Sequence, residues 1–138
     1  MADKISVMIT EEQIDKRVRE LAEQISKDYE GKSLHLICVL KGSMFFTCEL
    51  AKRLSVPVTI DTMSVSSYGS GTETSGRVRI MKDLDESIKD LNVLVVEDII
   101  DSGRTLSYLM EMLRDRKPAS LKLCTLLDKP SRRVVSVD

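Results

Sequence analysis

The 138-residue sequence has no tryptophan, a single histidine (His35) and three widely spaced cysteines, Cys38, Cys48 and Cys124. It has no CxxC pair and no Cys–His cluster, so neither the usual zinc sites nor a redox dithiol are predicted. A Ser-His-Asp triad would have to recruit His35 from a strand-like segment. We therefore expect three reduced thiols in the core, and a histidine that is structural or partly exposed and not catalytic.

The sequence also lacks an excess of charge and any long apolar run. Lys and Arg number 21 against 22 Asp and Glu, a net charge of −1, which gives no electrostatic argument for binding nucleic acid or an anionic membrane. No run approaches the roughly 20 apolar residues of a membrane span, and the charged start MADKIS is not typical of a signal peptide. The sequence predicts one globular domain, cytoplasmic, with neither a nucleic-acid nor a membrane partner.

The most informative stretch is NVLVVEDIIDSGRT, residues 92–105. The apolar run at 93–96 is typical of a strand buried on both faces, and it ends in two adjacent carboxylates, Glu97 and Asp98. A small-residue turn then opens a helical pattern, and a helix N-terminus offers unpaired N–H groups to a phosphate. The carboxylates suit Mg²⁺ or sugar hydroxyls. Together they predict a site for a phosphorylated sugar.

Apolar strands alternate with amphipathic helices along the chain, which predicts an α/β fold with a largely parallel sheet covered on both faces. The predicted elements are helices at 10–29, 44–54 and 103–116, a short helical link at 87–91, and strands at 34–40, 58–65, 77–81, 92–98, 120–127 and 134–137. Parallel strands end at one edge of such a sheet. We therefore expect Lys41-Gly42-Ser43, Glu97-Asp98, the turn at 101–105 and Lys129 to converge on one cleft.

Two segments allow alternatives. Residues 41–43 could be a second anion site or an ordinary strand-to-helix loop. Residues 66–76, SSYGSGTETSG, could be an inert loop or a lid over a ligand. Their GxG spacing does not separate a strand from a helix, so a dinucleotide fold is not indicated, and there is no Walker lysine motif.

The stretch VVEDIIDSGRT resembles the phosphoribosyl pyrophosphate (PRPP) motif of type I phosphoribosyltransferases. Three further blocks, LKGSMFF at 40–46, SSYGSG at 66–71 and LLDKPSRR at 126–133, resemble the hypoxanthine (hypoxanthine-guanine) phosphoribosyltransferases of purine salvage. The resemblance implies the type I fold, with an antiparallel lid hairpin around residues 58–82. It also implies transfer of a phosphoribosyl group from PRPP to N9 of hypoxanthine or guanine, with Mg²⁺ required.

The resemblance assigns a role to each matching position. It implies that Glu97 and Asp98 lie at the ribose and its metal, and that the 5′-phosphate is bound by Asp101, Ser102, Gly103, Arg104 and Thr105. It implies that the pyrophosphate is bound by Leu40, Lys41 and Gly42, often with a cis peptide, and that the lid contains Ser67 and Tyr68. It places Ile99 and Lys129 at the purine, with Arg133 nearby. Asp101 is also the implied general acid or base at the purine N7, and Lys129 the donor to its 6-oxo group.

Members of this family continue beyond the position of Asp138. The resemblance therefore implies that residues 1–138 correspond to a single phosphoribosyltransferase domain without the family's C-terminal segment. The resemblance implies a homodimer or homotetramer for full-length members. Two other functions remain open at this point: a PRPP-binding fragment with little turnover, and a PRPP-sensing regulator that binds nucleic acid. The net charge of −1 disfavours the regulator.

Overall fold

The computed structural model describes residues 11–67, 78–100 and 104–128. Three helices and five strands lie in these ranges. In chain order they are α1 (Glu11–Asp28), β1 (Leu34–Val39), α2 (Met44–Ala51), β2 (Val58–Ser67), β3 (Val78–Lys82), β4 (Asn92–Ile100), α3 (Arg104–Arg114) and β5 (Ser120–Asp128).

The five strands form one sheet in the order β3-β2-β1-β4-β5. The pairs β2–β1, β1–β4 and β4–β5 are parallel, whereas β3 pairs antiparallel with the second half of β2. This arrangement confirms the predicted α/β fold, including the antiparallel pairing within residues 58–82. The strand predicted at 134–137 lies outside the described residues.

Both faces of the central strands are buried. All six residues of β1 are buried, and four of them divide between two core clusters on opposite faces of the sheet. Leu34 and Leu36 pack with α1 and α2, while Ile37 and Val39 pack with α3. A strand covered by helices on both sides needs apolar residues at most positions, which explains why β1 is apolar except for His35.

Helix α1 forms because its apolar residues recur three and four positions apart. Val18, Ala22, Ile25 and Tyr29 are all buried against the sheet. Gly31 follows the helix with a φ of +81°, a left-handed conformation that favours glycine. A Cβ there would meet nothing within 4 Å, so the constraint is conformational and not one of space.

The helical link predicted at 87–91 is wrong. Residues 83–91 form bends and a turn, in which Leu91 N–H donates to Ile88 O. Asp90 has a φ of 65° and its N–H donates to Lys117 O, 3.0 Å away. A residue in the left-handed region does not continue a right-handed helix, so the segment closes against the end of α3 instead.

The cysteines are all free, but only two of them lie in the core. Cys38 and Cys124 are buried, whereas Cys48 is exposed on α2, which corrects the expectation of three core thiols. Helix α2 is apolar on nearly all sides, and Phe45 is 82% exposed, so hydrophobic spacing could not reveal which face is buried. Burial raises the pKa of the Cys124 thiol to about 11.

No helix within residues 11–67, 78–100 and 104–128 is both long and apolar enough to cross a membrane.

The burial of the thiols predicts their reactivity. In native buffer, Cys48 should react rapidly with 5,5′-dithiobis(2-nitrobenzoate), while the buried thiols of Cys38 and Cys124 react only as the protein opens. Unfolding in guanidinium chloride should release the signal of all three thiols. The fast phase should vanish in Cys48→Ser; a fast phase that persists in this variant would show that a supposed core thiol is accessible.

Candidate active site

The carboxyl edge of the sheet collects the loops that the sequence singled out. Strands β1 and β4 are parallel neighbours at its centre, in a register that runs from His35 opposite Val93 to Cys38 opposite Val96. The chain therefore leaves β1 next to Glu97, at the same level of the sheet. Strand β5 continues the pattern, with Thr125 opposite Glu97. The residues after β1 and the last residues of β4 and β5 thus share one edge, where α/β sheets bind their ligands.

The loop after β1 is fixed at both ends and exposed in the middle. Leu40 N–H donates to Met63 O of β2 at 2.9 Å, and the Leu40–Lys41 peptide is cis, as the family resemblance implied. Lys41 and Gly42 are exposed. Their backbone and the Lys41 ammonium are therefore available to an anionic ligand.

Ser43 anchors the far end of this loop. It is fully buried, its hydroxyl donates to Val39 O at 2.7 Å, and its Oγ lies 3.4 Å from Cys38 Sγ. Thr47, one turn further along α2, donates from its backbone N–H and its hydroxyl to Ser43 O, at 2.8 and 2.7 Å. The buried hydroxyls thus lock the loop to both β1 and α2.

Thr47 is a supporting residue that the sequence reasoning missed. Its position four residues after Ser43, inside an apolar helix, was the available signal, because a threonine hydroxyl in a helix commonly bonds one turn back.

Glu97 lies on the face of the sheet that α3 covers. It continues the series Val93 and Val95, which pack in the same cluster as Leu106 and Leu109 of α3. Its side chain is half-buried. Asp98 follows within β4, which runs to Ile100 and not to 98 as predicted. The carboxylate of Glu97 therefore stands where the strand leaves the core for the carboxyl edge.

Helix α3 begins at Arg104, four residues after the end of β4. A helix that follows β4 so closely is what the sequence predicted for a phosphate site. The first turn of α3 leaves backbone N–H groups without helical partners and carries the positive end of the helix dipole. Leu106, Leu109, Met110 and Leu113 hold the helix on the sheet, so its N-terminus is fixed beside the acidic end of β4.

The remaining predicted site residues are placed only in part. Asp101, Ser102, Gly103, Tyr68, Lys129 and Arg133 lie outside the described residues, and for Ser67, Asp98, Ile99, Arg104 and Thr105 only the backbone is described. Their roles stay predictions.

A cavity lined by described residues lies away from this edge. It has a volume of about 710 Å³ and lies between the end of α1 and the loops that enter β1 and β2, where Lys32, Ser55 and Pro57 line it. None of the predicted site residues lines it, and its mixed basic and acidic lining matches no part of the predicted substrate. This cavity is therefore not a candidate for the predicted active site.

The chain matches the phosphoribosyl transferase domain model over residues 8–138. The chain belongs to the phosphoribosyltransferase family.

Within the family, the chain is similar in sequence to enzymes that act on purines. The chain is 50% identical over 139 residues to a hypoxanthine phosphoribosyltransferase of Salmonella typhimurium, and the alignment covers 99% of this chain and 78% of the relative. It is 47% identical over 132 residues to a hypoxanthine-guanine phosphoribosyltransferase of Streptococcus thermophilus, with 96% of this chain and 73% of the relative covered.

A crystal structure of a hypoxanthine phosphoribosyltransferase from Staphylococcus aureus superimposes with a TM-score of 0.92 at 47% sequence identity. The superposition covers 96% of this chain and 72% of that one. The family resemblance seen in the four sequence blocks is confirmed. This phosphoribosyltransferase is a transferase with the type I fold.

The buried hydroxyl of Ser43 gives a prediction for this phosphoribosyltransferase. Ser43→Ala removes the bond to Val39 O and should lower the free energy of unfolding by about 1 kcal/mol, measured by urea denaturation. Ser33→Ala changes an exposed serine ahead of β1 and serves as the matched control, with almost no expected effect. Equal stability of the two variants would contradict the anchoring role.

Proposed function

We propose that this chain transfers the 5-phosphoribosyl group of PRPP to N9 of hypoxanthine or guanine and releases pyrophosphate, the reaction of purine salvage. The carrying observation is the central parallel pair β1–β4, which sets the exposed Lys41-Gly42 loop and the Glu97 carboxylate at one edge of the sheet. The names and the 47–50% identity of the relatives support the purine as acceptor.

The loop after β1 takes the pyrophosphate. As the bond from C1 of the ribose to pyrophosphate breaks, negative charge grows on the leaving group and positive charge on the ribose ring. Lys41 and the backbone N–H groups beside it can stabilise the leaving pyrophosphate, because fixed donors aimed at developing charge need little reorganisation. Anchoring at Leu40 and Ser43 holds these donors in place.

The start of α3 takes the 5′-phosphate of PRPP. The turn Asp101-Ser102-Gly103-Arg104-Thr105 supplies backbone N–H groups and the hydroxyls of Ser102 and Thr105, next to the positive end of the helix. Glu97 and Asp98 bind the ribose hydroxyls, so PRPP spans the edge from β1 to α3.

The purine lies beyond the ribose, between the residues after β4 and those after β5. Asp101 acts at the purine N7 as general acid or base, and Ile99 contributes apolar contact. Lys129 donates to the 6-oxo group, which favours 6-oxopurines over adenine. Ser67 and Tyr68 close over PRPP as a lid and exclude water from the positively charged ribose.

The donor set at the end of β4 fits Mg²⁺. Glu97 and Asp98 offer hard carboxylate oxygens, yet no group of three or more metal-binding side chains exists among residues 11–67, 78–100 and 104–128. Mg²⁺ commonly takes one or two carboxylates and completes its shell with water and substrate phosphates. Bound with PRPP, it would neutralise charge on the pyrophosphate.

We further propose a cytoplasmic enzyme that self-associates as a dimer or tetramer and does not bind nucleic acid. The even charge balance supports the last point. No observation favours a regulator over the transferase.

A turnover assay tests the proposal directly. Radiolabelled hypoxanthine, PRPP and Mg²⁺ should yield labelled IMP and pyrophosphate, whereas adenine should give little product because it cannot accept the Lys129 hydrogen bond. Calorimetry with PRPP runs in parallel. PRPP binding without turnover would show that the chain binds PRPP but does not catalyse the transfer. The absence of PRPP binding would overturn the proposal.

The role of Asp101 gives a sharper prediction. Asp101→Asn should lower kcat about 10²-fold, in the usual range for a general acid–base group, while PRPP affinity by calorimetry stays near that of the unmodified chain. Asp115→Asn, at an exposed position just after α3, is the matched control and should keep full activity. Full turnover of Asp101→Asn would rule out the assigned role.

A further inference from the structure

The thiol of Cys38 contacts the far end of the loop that follows β1. Cys38 stands one position before Val39, the last residue of β1, and its side chain is buried. Its Sγ lies 3.4 Å from the Oγ of Ser43, the residue that comes directly after Lys41-Gly42. A buried thiol at the end of the strand is therefore in contact with the residue that ends the loop.

Ser43 closes this loop on the strand. Its backbone N–H and its hydroxyl both donate to Val39 O, at 3.4 and 2.7 Å. Residues 40–42 are thereby enclosed in one turn between Val39 and Ser43. Because the hydroxyl makes the shorter of the two bonds, the orientation of this hydroxyl determines how firmly the turn is closed.

The bond between Cys38 and Ser43 has a definite direction. The Ser43 hydroxyl has a single proton, and the 2.7 Å bond to Val39 O uses it. Ser43 Oγ can therefore only accept from Cys38, so the thiol S–H is the donor. Ser43 is also the N-cap of α2, yet it makes no side-chain capping bond, so the first turn of the helix does not compete for this oxygen.

These bonds form the Cys38–Ser43 network, which runs from the thiol S–H to Ser43 Oγ and from the hydroxyl proton to Val39 O. Hydrogen bonds in series polarise one another, so the thiol strengthens the bond that closes the turn. Ser43 is fully buried, so bulk solvent does not reach its Oγ to replace the thiol as donor. The network therefore depends on the S–H of Cys38.

We propose that Cys38 is a positioning residue for the pyrophosphate, and that its S–H, acting through Ser43, holds the loop after β1 in the shape that receives the leaving group. The inference rests on the proposed function, in which Lys41 and Gly42 of this loop bind pyrophosphate. Cys38 itself touches no substrate.

The direction of the hydrogen bond can be measured without any substrate. The S–H stretch absorbs in the infrared where other protein groups do not, and it moves to lower frequency when the thiol donates a hydrogen bond. A difference spectrum between the unmodified chain and Cys38→Ala isolates the Cys38 band. Ser43→Ala removes the acceptor and should move this band to higher frequency. A band that stays in place would overturn the network.

The positioning role is tested by calorimetry with pyrophosphate and Mg²⁺. Cys38→Ala should raise the Kd of pyrophosphate about threefold, on the scale of one weak hydrogen bond. Cys38→Ser keeps a donor at the same position and should restore most of the affinity. Cys124→Ala is the matched control, because it removes the buried thiol of β5, which packs with Leu94 and Val96, and it should leave the Kd unchanged.

Urea denaturation of the two alanine variants separates positioning from stability. A merely structural thiol would lower the stability of Cys38→Ala and leave the Kd of pyrophosphate equal to that of Cys124→Ala, which would overturn the positioning role alone. Equal weakening in Cys38→Ala and Cys38→Ser would also overturn it, because the volume of the sulfur would then matter and not its proton. If the unmodified chain binds no pyrophosphate, the proposed function fails, and this inference fails with it.

Discussion

The parallel pairing of β1 with β4 is the contact on which the rest of the molecule depends. These two strands form the middle of the sheet and are buried on both faces, so neither can slip without exposing a whole row of apolar side chains. Their register therefore fixes where each strand ends. It brings the loop after Val39 to the level of Glu97. The Lys41 ammonium and the Glu97 carboxylate, which we propose as groups that bind PRPP, therefore lie at one edge of the sheet.

A few buried polar contacts hold the loop after β1 in a fixed position on these strands. Hydrogen bonds from the hydroxyls of Ser43 and Thr47 anchor the loop after β1 to Val39 and to α2. The backbone N–H of Leu40 bonds it to β2. Between these anchors Lys41 and Gly42 stay exposed. Rigid ends and an open middle suit the role proposed for this loop, which is to present hydrogen-bond donors to the leaving pyrophosphate without rearranging.

Much of the fold could be predicted from the sequence because the central strands need apolar residues at most positions. The apolar residues within 34–40 and at 93–96 stand out for that reason, and the structure places β1 and β4 there. The predictions failed where the deciding contact is distant in sequence. The link at 87–91 looked helical, but Asp90 bonds to Lys117 and takes a left-handed conformation.

Contacts between residues distant in sequence also limit what could be predicted about side chains. Cys48 sits in an apolar helix, yet it faces outward because α2 buries Phe46, Thr47 and Leu50 instead. His35 finds its partner Thr59 on the next strand, 24 residues away. At the carboxyl edge, the motif around 97–105 predicted the order of strand, turn and helix, and the roles of its individual side chains rest on the family likeness.

The central claim is that one sheet edge holds PRPP between the loop after β1 and the start of α3. A crystal structure of the chain with PRPP and Mg²⁺, without a purine, measures this directly. The account predicts the pyrophosphate within hydrogen-bond distance of the Lys41-Gly42 backbone, the ribose hydroxyls at the Glu97 and Asp98 carboxylates, and the 5′-phosphate at the first turn of α3. PRPP bound elsewhere, or with its pyrophosphate away from Lys41, would contradict it.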